Sequence, residues 1–511
     1  MTSSANPLLI HLGFQKTLER SHPPIRISIF SASFSPPKFC STLKISGSEI
    51  QRGGCKLRRD LVRIAAMDDD SEAFSSFDEF DDNGVIYGGS ILSPSEGEES
   101  DTEILIIPST DVDLPSRSDL FDRSDAVTVA AHRFATLRKR RKRRRIQPGV
   151  FINMGLIAFS AMLLLFVDWC SWKIVRLPFP SFYLTRPFSI SAILASCAGF
   201  LYVPLLDRLK IHQVIRIEGP LMHASKKGTP TMGGLFFVPI GLAVARAIAG
   251  FSSVEVYGAA AATIAFAAIG LLDDTLSSFK NHNYGLPGKF KFCLQAAVGT
   301  WFSFWLESAD VLSPYSMKML VPFPAPLGLV YFGKFYLFFS AFCFVAMGNG
   351  VNLTDGLDGL AGGTAALAFI GMSIAVLPIC SDLAVFGASM AGACVGFLLH
   401  NGYKASIFMG DTGSLALGGA LAAMASCTGM FFPLLIASGV FILEVLSVIM
   451  QVSFFKATRR LYGAGRRLFR MAPLHHHLEL SGLKEPHIVT SAYVVSSVLA
   501  ILAGYVGLIS A

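Results

Sequence analysis

From residue 149 to the C-terminus the chain repeats one pattern, an apolar run followed by a short polar stretch. Eleven runs can be delimited, at 149–169, 188–206, 232–250, 256–272, 290–306, 327–347, 360–380, 383–399, 413–428, 431–453 and 488–510. Each approaches the ~20 residues that a helix needs to cross ~30 Å of hydrocarbon. The expected fold class is therefore all-α, a polytopic transmembrane helix bundle. Several runs are short, with Gly or Pro between them, so one or two spans are expected to be tilted or broken.

The polar stretches carry the chemistry. Asp273 and Asp274 close one run in AIGLLDDTLSSFK, and four further stretches stand at run ends in the same way: HASKKGTPTMGG (223–234), GNGVNLTDGLDG (348–359), HNGYKASIFMGDTGS (400–414) and MAPLHHHLELSG (471–482). In an alternating bundle every second loop faces the same side. The loops 207–231, 273–289, 348–359, 400–412 and 454–487 then share one face, and they hold every one of these motifs. Counted to residue 291 in the second loop, that face carries 16 Lys or Arg, against Lys173, Arg176, Arg186 and Lys318 on the other. Basic residues are retained on the cytoplasm-equivalent side, which makes the motif face that side. The span 149–169 enters from it too.

Composition agrees: 52% hydrophobic and 15% charged residues lie far from the ~25% charged of a soluble domain. The net charge of +7 comes from residues that flank apolar runs and orient helices. No nucleic-acid-binding motif accompanies it, so nucleic acid is excluded as a partner and membrane lipid is the expected surroundings. The nine cysteines form no CxxC pair, and Cys197, Cys293, Cys343 and Cys394 fall inside apolar runs, as small hydrophobes do.

The organisation changes near residue 147. Residues 1–66 are Ser-rich, with ten Lys or Arg against Glu19, Glu49 and Asp60, and lack a long apolar stretch; this is the composition of an organelle transit peptide. Residues 67–147 read as a disordered acidic spacer ending in eight basic residues, Arg138 to Arg145. Residues 148–187 give a first transmembrane helix and linker, and 188–511 the main membrane domain.

Five aspartates, Asp273, Asp274, Asp355, Asp358 and Asp411, would meet at one membrane face. Carboxylates at a membrane edge are expensive and usually functional, and hard oxygen donors in such number call for Mg2+ or Mn2+. Lys226, Lys227, Lys289, Lys291 and His475, His476 and His477 bring the opposite sign, suited to phosphate oxygens. Carboxylates, a divalent cation and basic side chains together suit phosphoryl transfer. Each stretch also has a plainer reading. The glycines of GTPTMGG and GDTGS fit close backbone approach to a ligand, and those of GTPTMGG alternatively allow tight helix packing. NLTDGLDG also suits a turn with a helix cap, and HHH a surface cluster.

The motifs KKGTPTMGG, LLDD, NLTDGLDG, FMGDTGSLALGG and RMAPLHHHLELSG, in this order over about 188–511, resemble the phospho-N-acetylmuramoyl-pentapeptide transferases (translocase I). That family lies within the polyprenyl-phosphate N-acetylhexosamine-1-phosphate transferase superfamily. The resemblance implies a bundle of ten family helices from 188 onward, with 149–169 as one additional N-terminal helix. It implies that Asp411 is a ligand of a Mg2+ cofactor and that Asp273 and Asp274 belong to the catalytic carboxylate cluster. Lys226, Thr231, Asn352, Asp355, Asn401 and Phe408 would contribute to the nucleotide-sugar pocket, and His475, His476 and His477 would hold the diphosphate or shape its entrance. The partners implied are UDP-N-acetylmuramoyl-pentapeptide and a polyprenyl phosphate, with UMP released; a homodimer is a compatible assembly. Transfer of N-acetylglucosamine-1-phosphate to polyprenyl or dolichyl phosphate is the alternative, which PLHHHLELSG disfavours. Two departures stand out: ATRRLYGAGRR (457–467) is longer than the bacterial pattern, and the N-terminal extension points to a plastid membrane, the inner envelope, with the site facing the stroma.

Overall fold

The computed structural model describes residues 148–176, 178–209, 211–212, 226, 228–250, 253–280, 285–309 and 319–511. The expected transit peptide, the acidic spacer, the Arg138–Arg145 run and Lys227 lie outside these residues. Among the described residues the thirteen α-helices are α1 (Pro148–Trp169), α2 (Thr185–Arg208), α3 (Gly234–Ala249), α4 (Val254–Lys280), α5 (Gly288–Ser308), α6 (Phe335–Thr354), α7 (Leu360–Val376), α8 (Ser381–Asn401), α9 (Gly410–Thr428), α10 (Phe431–Ala437), α11 (Gly439–Tyr462), α12 (Leu474–Leu480) and α13 (Glu485–Ser510). Seven of them, α1, α2, α4, α6, α8, α11 and α13, are long and apolar enough to cross a membrane, and α3 and α7 are shorter apolar helices. All eleven apolar runs are helical over most of their length.

Side-chain size sorts these helices into an inner and an outer layer. Every residue of α7, and α9 from Thr412 onward, is buried, and both are built largely of Gly, Ala and Ser. In lipid no hydrophobic force drives helices together, so small residues that let backbones approach closely are what make an interior. The neighbour α8 packs on α2, α3 and α7, whereas α9 packs on α4 and α6, and α13 on α7. The outer helices instead expose large apolar side chains, such as Phe200, Leu201 and Ile193 on α2. In water such a surface would promote aggregation; against acyl chains it costs nothing. The seven cysteines among the described residues are free.

Three boundaries differ from the sequence reading. The run 327–347 does not start as helix, because Leu320–Pro322 and Leu329–Tyr331 form an antiparallel two-stranded hairpin in the register Leu320↔Tyr331. Pro322, Pro324 and Pro326 and the positive-φ residues Gly328 and Gly333 exclude helix before Phe335. The fold is thus a helical bundle with one small hairpin. The run 431–453 is broken at Ser438, between α10 and α11. The stretch from Asp273 is not yet loop, since α4 continues to Lys280: DDTLSSFK contains no Gly or Pro, so polarity ends the apolar surface there without ending the helix.

The additional helix α1 is integrated. Leu156 and Leu164 are buried, Asn153 Nδ2 donates to the Leu398 carbonyl at 2.9 Å, and Asp168 accepts the backbone N–H groups of Leu184 and Thr185 at 3.0 and 2.9 Å. A carboxylate there satisfies orphan donors at the start of α2.

Candidate active site

The alternation of helices brings the C-terminal ends of α4, α6 and α8 to the same end of the bundle as the starts of α5, α7, α9 and α13, so the motif stretches meet as their parity predicts. Asp273 and Asp274 stand on α4, Lys291 in the first turn of α5, Asn352 in the last turn of α6 and Asp411 in the first turn of α9. Lys291 Nζ donates to Asp411 Oδ2 and, at 3.3 Å, to Asp273 Oδ2. Asn352 Nδ2 donates to Asp411 Oδ1 at 2.9 Å and to Ser414 Oγ at 3.1 Å, and Asp273 Oδ1 accepts the Leu286 N–H at 2.6 Å. Two carboxylates thus converge on one ammonium. Lys289, two residues before Lys291 on α5, is exposed.

Asp274 plays a different part. Its Oδ1 accepts the Asp411 N–H at 3.0 Å, and its Oδ2 accepts the Thr412 N–H at 2.9 Å and the Thr412 hydroxyl at 2.6 Å. These are first-turn donors of α9 that no intrahelical carbonyl can satisfy, and negative charge is favourable at that end of a helix. Asp274 therefore anchors the turn that presents Asp411.

A second network surrounds Lys226. Its Nζ donates to Asp358 Oδ1 at 2.8 Å and to Glu485 Oε1 at 2.7 Å. Glu485 Oε1 also accepts the Asp358 N–H at 2.6 Å, and Asp358 Oδ2 accepts the Ala405 N–H at 2.9 Å. Burial alone would lower the Lys226 pKa, but the Asp358 and Glu485 carboxylates outweigh it and raise it. Asn401 uses both ends of its amide on protein, accepting the Gly359 N–H at 3.1 Å and donating to the Ile407 carbonyl at 2.8 Å. Asp355, just past α6, lies between the two networks. Burial first, and then the carboxylates of Asp411, Asp274 and Asp358, push its carboxyl up to about 8.

The glycine-rich stretches hold protein against protein. Phe408 N–H donates to the Pro230 carbonyl at 2.8 Å, and Gly233 and Gly234 N–H donate to the carbonyls of Phe408 and Met409 at 2.9 and 3.0 Å. A Cβ on Gly234 would fall 2.3 Å from the Gly413 nitrogen, and one on Gly270 2.1 Å from the Asp411 carbonyl oxygen. For GTPTMGG the close-packing reading holds at Gly233 and Gly234, whereas a Cβ on Gly228 would meet nothing within 4 Å. The packing seats buried Thr231 and half-buried Phe408 beside the start of α9.

The three histidines take different polar partners, although the rings of His475 and His476 stand 4.2 Å apart between centroids. His475 is buried, its Nδ1 3.3 Å from Glu444 Oε2, and a Cβ on Gly356 would meet its Nε2 at 2.2 Å, so its ring lies against the NLTDGLDG turn. His476 Nδ1 is 3.3 Å from Glu479 Oε2, and His477 Nδ1 accepts the Arg470 N–H at 3.2 Å. Glu444 and Glu485 escaped the sequence reading. Glu444 is a lone acid in the middle of an apolar run, a signal that could have found it; Glu485 carries only the weaker signal of an acid at the start of a span.

Comparison with known proteins bears on the family of the chain. The profile described as Glycosyl transferase family 4 matches residues 256–429, and the phospho-N-acetylmuramoyl-pentapeptide-transferase signature 1 matches 226–238. The phospho-N-acetylmuramoyl-pentapeptide-transferase of Trichormus variabilis is 42% identical over 355 residues, 69% of this chain and 94% of that protein. The protein of the same name from Nostoc punctiforme is 40% identical over 361 residues (70% and 98%), and that from Picosynechococcus sp. 45% over 317 residues (62% and 85%).

Proposed function

Because the chain belongs to the phospho-N-acetylmuramoyl-pentapeptide-transferase family, we propose that it transfers phospho-N-acetylmuramoyl-pentapeptide from UDP to a polyprenyl phosphate in a magnesium-dependent reaction that releases UMP. The observation that carries this reading is the Asp273–Lys291–Asp411–Asn352 network, in which two carboxylates from different helices face a single positive charge. The donor set fits Mg2+, which is usually held by one or two carboxylates and completed by substrate phosphates and water. Among the described residues no three His, Cys, Asp or Glu side chains close around a metal. Asp411, with Asp273 beside it, would hold the ion, and Mg2+ when bound supplies charge neutralisation on the diphosphate.

The protein's own groups do the rest. A phosphate monoester has a second pKa of about 6, so the acceptor lipid is largely ionised near neutral pH and needs orientation and charge screening more than a strong base. Lys291, Lys226 and exposed Lys289 offer that positive charge. Thr231, Asn352, Asp355, Asp358 and Phe408 border the region where a nucleotide sugar would lie. Asn401, with both amide groups engaged, shapes the turns 357–359 and 405–409, and His475 supports the NLTDGLDG turn from behind. The test is UMP release by purified protein given UDP-N-acetylmuramoyl-pentapeptide or UDP-N-acetylglucosamine. Turnover with the second donor alone would overturn the assignment.

The setting we infer is a plastid inner envelope with the site facing the stroma. Its supports are the cyanobacterial relatives, the basic Ser-rich start and the charge bias between faces. A fusion of residues 1–70 to a fluorescent protein should enter plastids; a secretory or cytosolic signal would count against it. In sealed vesicles, single cysteines at 279 and 482 should label from one side and a cysteine at 315 from the other.

A further inference from the structure

We infer that Glu485 is a positioning residue that holds the Lys226 ammonium for the anionic donor substrate, an inference that rests on the function proposed above. Lys226 stands at the end of the long connection after α2, and its ammonium is fixed by two carboxylates from separate parts of the chain. Asp358 Oδ1 lies at 2.8 Å and Glu485 Oε1 at 2.7 Å. An ammonium has three donors; these two contacts use two and leave one to meet an incoming oxygen. The Lys226 side chain keeps 17% of its surface exposed, while those of Asp358 and Glu485 keep 2% and 9%, so the cation is the member of the trio that a ligand can reach.

The two carboxylates are not equivalent. Asp358 is locked from both sides, by Lys226 on Oδ1 and by the Ala405 N–H on Oδ2 at 2.9 Å. Glu485 reaches in from the first turn of α13 and uses the same Oε1 for Lys226 and for the Asp358 N–H, at 2.7 and 2.6 Å. One oxygen thereby ties α13, the NLTDGLDG turn and the lysine together. Removing that charge frees the lysine to swing and loosens the turn at the same point. A purely structural part for Glu485, as an acid favourable at a helix start, would alter stability without changing what Lys226 does.

The test uses the full chain in detergent with Glu485→Gln, Glu485→Asp, Lys226→Ala and the double variant Lys226→Ala/Glu485→Gln. Two quantities are read: steady-state UMP release at varied UDP-N-acetylmuramoyl-pentapeptide, and the rate at which an amine-reactive ester acylates Lys226, followed by peptide mass spectrometry. Loss of one charge-assisted contact should raise the donor KM roughly tenfold in Glu485→Gln, with kcat within about threefold and the polyprenyl phosphate KM unchanged. Glu485→Asp should recover part of the donor affinity. Lys226 should be acylated several-fold faster in Glu485→Gln, because a lysine that loses a carboxylate neighbour gives up its proton more readily. In the double variant the donor KM should equal that of Lys226→Ala alone, since coupled residues are not additive. An unchanged acylation rate in both Glu485 variants, or KM effects that multiply in the double variant, overturns the inference. A wild-type protein that releases no UMP overturns the proposed function instead, and the acylation comparison still decides whether Glu485 holds Lys226.

Discussion

Replacing Asp274 by Asn is expected to cripple turnover by displacing Asp411. The carboxylate accepts three hydrogen bonds from the first turn of α9, from Asp411 N–H, Thr412 N–H and the Thr412 hydroxyl, at 3.0, 2.9 and 2.6 Å. Hydrogen bonds to a charged group contribute ~1.5–3 kcal/mol, against ~0.5–1.5 for neutral pairs. An amide retains one acceptor oxygen and turns its NH2 towards a donor, so at least one α9 N–H loses its partner, at a cost of ~1–3 kcal/mol. The expected loss is about 2–4 kcal/mol of local stability, concentrated at the residue whose backbone carries Asp411. A displacement of ~1 Å at a reacting centre costs ~10²-fold in rate. UMP release across a Mg2+ titration, alongside thermal melting in detergent, should show kcat down by about two orders of magnitude, a higher half-saturating Mg2+ and a lower melting temperature. Two results would refute the reasoning: wild-type turnover, or lost turnover with unchanged melting and unchanged Mg2+ dependence, which would put Asp274 in direct contact with the reacting groups.

Asp411→Asn should abolish Mg2+-dependent UMP release while the melting temperature stays near wild type, and activity retained at saturating Mg2+ would remove Asp411 as a ligand. Asp355, with its pKa raised from 3.8 to about 8, holds its proton more tightly folded than unfolded. Its contribution to stability is therefore full below pH 3.8 and is lost as pH rises to about 8. Asp355→Asn should melt progressively higher than wild type across that window; parallel melting curves would contradict the shift. Gly270→Ala would drive a methyl to 2.1 Å from the Asp411 carbonyl oxygen, where backbone must move, so a loss of ~1–3 kcal/mol or more together with lost turnover is expected, and an active, equally stable variant would argue against the α4–α9 contact.

Hydropathy is a property of each residue and its near neighbours. The apolar runs, the side on which the basic residues gather and the concentration of acids at run ends were accordingly readable before any folding. So was the kind of chemistry, because Asp273, Asp411 and Lys291 need only meet, and alternation of spans already brings their ends to one face. Partners are not local. Asp273 and Asp274 are adjacent and chemically identical in the sequence, yet the first faces Lys291 and the second is consumed by the start of α9, a division set by which side of α4 each residue occupies. Gly234 of GTPTMGG could serve a ligand or a helix by sequence alone, and its approach to Gly413 makes it a packing position. Glu485 gave little sign of itself because its significance lies in Lys226, 259 residues away in the chain. Composition and periodicity determined that this chain is a helical membrane protein whose polar motifs gather at one end of the bundle; only the tertiary contacts decided which carboxylate faces Lys291, which holds the start of α9 and which holds Lys226.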